Sequence, residues 1–131
     1  MANVACYAEK AILDWVLLGA TPTRPPQTGV ALSLQPPNST AGSEIGTASG
    51  YARVNATFGA AASPAGSASN ANAMTFGPFS NAATITGISV WDTTAVTAGN
   101  MLWYGTLATI RTLGVGDSLI INAGSLVISL A

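Results

Sequence analysis

Ionisable side chains are so scarce that they dictate most of what this chain can become. Five acids and four bases among 131 residues make 7% charged, against roughly 25% in an ordinary soluble domain. A freely diffusing protein relies on surface charge to keep copies of itself apart. With hydrophobic residues at 49%, much of the folded exterior must be neutral or apolar, which suits a molecule covered by neighbours. Gly, Ser, Thr, Asn and Pro interrupt the apolar runs, which argues against a membrane span and equally against a disordered tail.

The same scarcity removes function classes. Lys10, Arg24, Arg53 and Arg111 lie far apart, so no basic stripe can neutralise a phosphate backbone, and a nucleic-acid partner is not expected. Histidine is absent and Cys6 is the lone cysteine. Ser-His-acid and Cys-His nucleophilic sites, His or multi-Cys zinc sites and an internal disulfide are therefore all excluded. Among Glu9, Asp14, Glu44, Asp92 and Asp117 no pair has metal-loop spacing. No metal, cofactor or catalytic residue is expected, and the only enzyme class left is a two-carboxylate glycosidase assembled by the fold. Cys6, among apolar neighbours, reads as a small buried hydrophobe.

The stretch Ala11 to Ala20 looks apolar, but Asp14 interrupts it and Glu9 precedes it, which is wrong for an export signal. Asn38-Ser39-Thr40 and Asn55-Ala56-Thr57 fit the glycosylation pattern, as chance allows in an Asn/Thr-rich chain.

Periodicity predicts one helix and then strands. Asn3 can cap a helix whose Ala8, Ala11, Ile12, Trp15 and Val16 recur at three- and four-residue steps and which Gly19 ends. Pro22, Pro25 and Pro26 lead into a strand over 28–34, with Val30, Leu32 and Leu34 alternating. After a loop over 35–50, residues 51–58 alternate: Ala52, Val54, Ala56 and Phe58 on an apolar side, Tyr51, Arg53, Asn55 and Thr57 on a polar one. Residues 59–69 form a low-complexity Ala/Ser/Gly connection, either a mobile surface loop or one held by a neighbouring subunit. Further strands are predicted over 70–76, 84–92, 101–107 with an extension to 112, 119–122 and 126–130. Six or seven short strands after one N-terminal α-helix predict a mainly β chain. Its expected form is an antiparallel β-sandwich in a single domain over 1–131, with the helix in 1–20 and the sandwich in 28–131.

The ordered pieces AEKAILDWVLLGATPTRP, GVALSL, SGYARVNATF, TFGPF, TITGISVWD, GNMLWYGTL and VGDSLIINAGSLVISL resemble a family of small structural proteins of tailed bacteriophages, labelled tail-fibre-like or minor virion proteins. The similarity covers nearly the whole chain, and its most specific pieces are Gly50-Tyr51-Ala52-Arg53, the strand end at 87–92 and 99–107 with its Trp-Tyr pair. One departure is Gly46-Thr47-Ala48-Ser49-Gly50, where relatives carry a fuller glycine run. The resemblance implies a β-rich virion component.

Four residues stand out as candidates for an oligomer or partner interface: Glu44, Arg53, Trp103 and Tyr104. Arg53 is expected either to pair with Glu44 or Asp92 and pin the long loop, or to anchor an adjacent subunit. Trp15, Trp91 and Trp103 are expected in the core. Trp103 and Tyr104 must point to opposite faces of one strand, so at most one enters a given core. The expected function is a non-enzymatic virion structural protein that packs as a homotrimer against itself and against proteins such as the major capsid protein. A chain with no fibrous shaft fits a capsid cement or decoration protein better than a whole tail fibre. A tail-fibre or tail-tip protein binding a receptor or glycan is the alternative.

Overall fold

A computed structural model describes residues 2–39, 43–46 and 49–130. Thr40 of the first glycosylation triplet and Thr47-Ala48 of the departing loop piece lie outside the described residues. Among the described residues the chain forms β1 (Ala2–Val4), α1 (Cys6–Leu13) continued by a π-helical turn (Asp14–Leu18), β2 (Gly29–Ser33), β3 (Val54–Asn55), β4 (Ser67–Ser69), β5 (Met74–Phe76), β6 (Ala83–Trp91), β7 (Met101–Leu113), β8 (Leu119–Ile121) and β9 (Val127–Ser129). The protein is mainly β with one N-terminal helix, and its strands make antiparallel sheets of five, two and two.

The large sheet runs β1-β7-β6-β2-β3. Its register puts Val54, Val30, Val90, Trp103 and Val4 in one row and Leu32, Ile88 and Gly105 in the next. Because side chains alternate across a pleated sheet, these rows share one face. That face joins a single cluster with Met74, Phe76, Leu126 and Ile128, residues on or beside the two-stranded ribbons β5-β8 and β4-β9. The opposite face carries Ala31, Ser33, Gly87, Ser89 and Tyr104, and it is narrow because backbone and loops press onto it. A Cβ at Gly87 would overlap the Pro37 ring, and one at Gly29 would overlap the Thr93 carbonyl. Glycine is required at both. β2, covered on both faces, is buried along its whole length.

Several sequence expectations are corrected here. Asn3 does not cap the helix; it pairs in β1, and the cap position is Ala5, whose side chain makes no capping bond. Gly19 does close the helical segment, at φ 76°. Cys6 is exposed rather than buried, because the helix turns Ala8, two positions on, to the core instead. Trp15 is exposed as well, since only the first part of the helix, at Ala8, reaches the core.

The strand predicted over 51–58 shrinks to Val54–Asn55, and only the first part of the alternation is reversed: Tyr51 and Arg53 are buried and Ala52 exposed, whereas Ala56 is buried and Asn55 and Thr57 are exposed as expected. Polar partners waiting inside reverse the pattern that hydrophobicity alone would set. The connection at 59–69 is tied within the chain, by Gly59 N–H to Ser69 O at 3.1 Å, Ala62 N–H to Ser67 O at 2.7 Å and the β4-β9 pairing. Small side chains bury little, but their backbone groups still demand partners. In the strand predicted over 70–76 only the last three residues pair with β8. Buried Asn70 instead clasps a turn: its Nδ2 donates to Asn72 O at 2.7 Å and Asn122 O at 3.0 Å, and its Oδ1 accepts from Leu126 N–H at 2.9 Å.

Candidate functional site

The sequence places Glu44 and Arg53 nine residues apart, and the fold brings them into a bidentate ion pair. Arg53 Nε donates to Glu44 Oε1 at 2.7 Å and Nη2 donates to Oε2 at 2.8 Å. The Arg53 side chain is wholly buried and that of Glu44 nearly so. Arg53 Nη1 donates to the carbonyls of Thr93 at 3.1 Å and Ala98 at 2.9 Å, and the guanidinium lies 4.4 Å over the Trp91 ring. A planar guanidinium offers five donors in a fixed fork, and here the fork joins two loops that are distant in sequence.

Glu44 is equally engaged. It accepts from the Tyr51 hydroxyl at 2.8 Å, and its Oε2 faces the Thr97 amide at 3.4 Å. Tyr51 in turn accepts from Leu32 N–H at 3.1 Å, so the phenol covers an edge position of β2 that β3 does not reach. Burial, reinforced by the hydrogen bond to Glu44, pushes the Tyr51 phenol far above its usual pKa. The Thr97 backbone adopts φ 63°, a left-handed conformation uncommon for a β-branched residue, on the loop whose Ala98 carbonyl receives Arg53. Asp92, the other partner considered for Arg53, holds Asn100 instead, accepting from its backbone N–H at 2.8 Å and Nδ2 at 2.9 Å.

Chemically, this cluster is closed. The carboxylate oxygens and guanidinium nitrogens point at protein groups, and what the arrangement does is tie Glu44, Tyr51 and Arg53 to the loop at 93–98 beside the large sheet. Among the described residues no three His, Cys, Asp or Glu side chains gather as a metal site, and no helix is long and apolar enough to cross a membrane.

Trp103 and Tyr104 occupy opposite faces of β7. Trp103 packs partly buried against the core cluster, with its Nε1 enclosed and unpartnered. It lines an apolar groove of about 300 Å³ with Phe58, Ala68, Val90, Ile128 and Leu130. Half-buried Tyr104 stands between Asn3 and Ser89 on the other face. A second, larger cleft of about 510 Å³ lies along the outer half of β7, bordered by Ile88, Arg111, Leu119, Asn122 and Leu126.

The most open apolar surface lies elsewhere, at the end of the helical segment. Leu13, Trp15, Val16, Leu17 and Leu18 are all exposed, Leu17 by 79% and Leu18 by 77%. Asp14, between them, is paired with Lys10 one turn earlier. Residues 19–24 that follow are exposed too. Sequence reasoning saw that the apolar helix stripe must be covered and expected Trp15 in the core. The run of five apolar side chains in six positions is too dense for a one-sided stripe, so contact along one side cannot hide it all.

Comparison with known proteins adds the biological setting. The chain matches the family Gp80, described as podophage GP4 fiber I protein gp80, over residues 3–129. A search of curated proteins found no match. The chain belongs to this podophage fibre I family and is a fibre-associated structural protein of the phage virion.

Proposed function

We propose that this member of the podophage fibre I family is a non-enzymatic subunit of the fibre, working by packing against copies of itself, as a homotrimer, and against other virion proteins. The observation that carries this reading is an inverted surface. The bidentate Glu44–Arg53 ion pair is enclosed, while five bulky apolar side chains stand in solvent at 13–18. Such a surface is a liability for a lone molecule and a binding face in an assembly. The closed Glu44–Arg53 cluster supports a mechanical role, holding two loops in one shape.

What supports the fibre over a capsid cement position is the description of the family that the chain matches. No observation favours glycan binding: Trp103 leans on the core and Tyr104 faces the other way, so the two rings form no joint platform. A reconstruction of the intact particle tests the proposal. The expected result is several copies meeting one another in the fibre. Isolated single copies spread over the capsid lattice would overturn it.

A further inference from the structure

We infer that the helical end at 13–18 is the contact by which copies of this chain join, the ends of neighbouring copies packing on one another about a symmetry axis. This rests on the oligomeric reading above and names its interface. Tyr7, Leu13, Trp15, Val16, Leu17 and Leu18 are each more than half exposed, together a surface on the order of the ~800 Å² that each partner gives to a standard-size interface. A patch of that extent is unusual on a monomer and sufficient for a stable contact.

The chemistry of the patch points to a second copy as its occupant. At a symmetry axis each group meets its own image, so any net charge there repels itself. Between 13 and 18 the one charged residue is Asp14, and it is paired with Lys10 one turn earlier. A lipid surface is a poorer fit. Interfacial helices hold anionic lipid through Lys and Arg on their polar face, and here Lys10 is engaged while Glu9 and Asp14 are acidic. The apolar residues also surround the segment rather than lining one side, as expected of a helix enclosed by others.

The test uses the full chain and the double variant Leu17→Asp/Leu18→Asp. These side chains are about four-fifths exposed, so the variant is expected to keep the circular dichroism of the folded chain, while its melting midpoint falls to that of the dissociated subunit. In sedimentation velocity the wild type is expected as a trimer and the variant as the single 13.1 kDa chain. Ile110→Asp, an exposed apolar position on β7, is expected to leave assembly unchanged. A Leu17→Cys variant in a Cys6→Ser background, labelled with pyrene, should show excimer emission that disappears on dilution to monomer. An oligomer that survives Leu17→Asp/Leu18→Asp and shows no excimer would overturn the inference while leaving the oligomeric reading standing. A monomeric wild type that floats with phosphatidylcholine/phosphatidylglycerol vesicles, or one that stays monomeric without them, would also overturn it. The particle reconstruction would then decide the fibre role separately.

Discussion

Glu44 and Arg53 lie inside this protein, and Leu17 and Leu18 lie outside it. An ordinary soluble domain does the reverse, because burying charge is costly and exposing large aliphatic groups is unfavourable. The difference between the two regions lies in where their partners are. The ion pair finds all its partners in the same chain: a carboxylate matched to a guanidinium, two loop carbonyls and a tyrosine hydroxyl. The helical end finds almost none, and its partners must come from outside. One region holds the subunit's shape and the other offers the subunit to its neighbours.

Substitutions can break or sharpen that contrast. The largest loss of stability is expected from Arg53→Ala, which strands a buried Glu44 carboxylate and should cost about 3–5 kcal/mol in chemical denaturation. Asn70→Ala follows. It leaves Leu126 N–H and the carbonyls of Asn72 and Asn122 short of partners, a loss of about 2–3 kcal/mol.

Tyr51→Phe is smaller near neutral pH, about 1–2 kcal/mol from the unpartnered Leu32 N–H and the bond lost to Glu44. Its diagnostic effect is on pH dependence. The folded phenol keeps its proton far above its usual pKa, whereas the unfolded one releases it near pH 10. The unfolded state then binds fewer protons, so the wild type should lose stability above about pH 10 by up to ~1.4 kcal/mol per pH unit. Tyr51→Phe should lack that component, as read from denaturation midpoints at pH 9 and pH 11. The smallest effect belongs to the open region: Leu17→Asp alone should change the unfolding free energy of the dilute chain by no more than about 0.5 kcal/mol. A large loss there would show that the helical end is folded against its own body, and the contrast would fail.

The sequence already made much of the fold legible. Alternation located β2, and β-branched and aromatic residues bounded by turns located β6 and β7. It misjudged 51–53 because alternation registers which residues are polar but not whether polar partners wait inside, and for Tyr51 and Arg53 they do. It could not see β4, whose Ser-Ala-Ser carries no hydrophobic signal and pairs through backbone alone. At the site, the Glu44–Arg53 pairing was within reach because so few charges compete for one another. Tyr51 as the third member was not, since its hydroxyl depends on how the edge of β2 is closed. The helix showed its period but not its neighbour. Apolar spacing says that a face must be covered and is silent on whether the cover belongs to the same chain.

The account stands most directly on whether the helical end is hidden in the assembled fibre. Hydroxyl-radical footprinting read by mass spectrometry can compare Trp15, Leu17 and Leu18 in the dilute chain with the same residues in fibres taken from particles. The account predicts strong oxidation in the dilute chain and strong protection in the fibre, with the enclosed Tyr51 unreactive in both. Equal oxidation of 15–18 in the two states would contradict it.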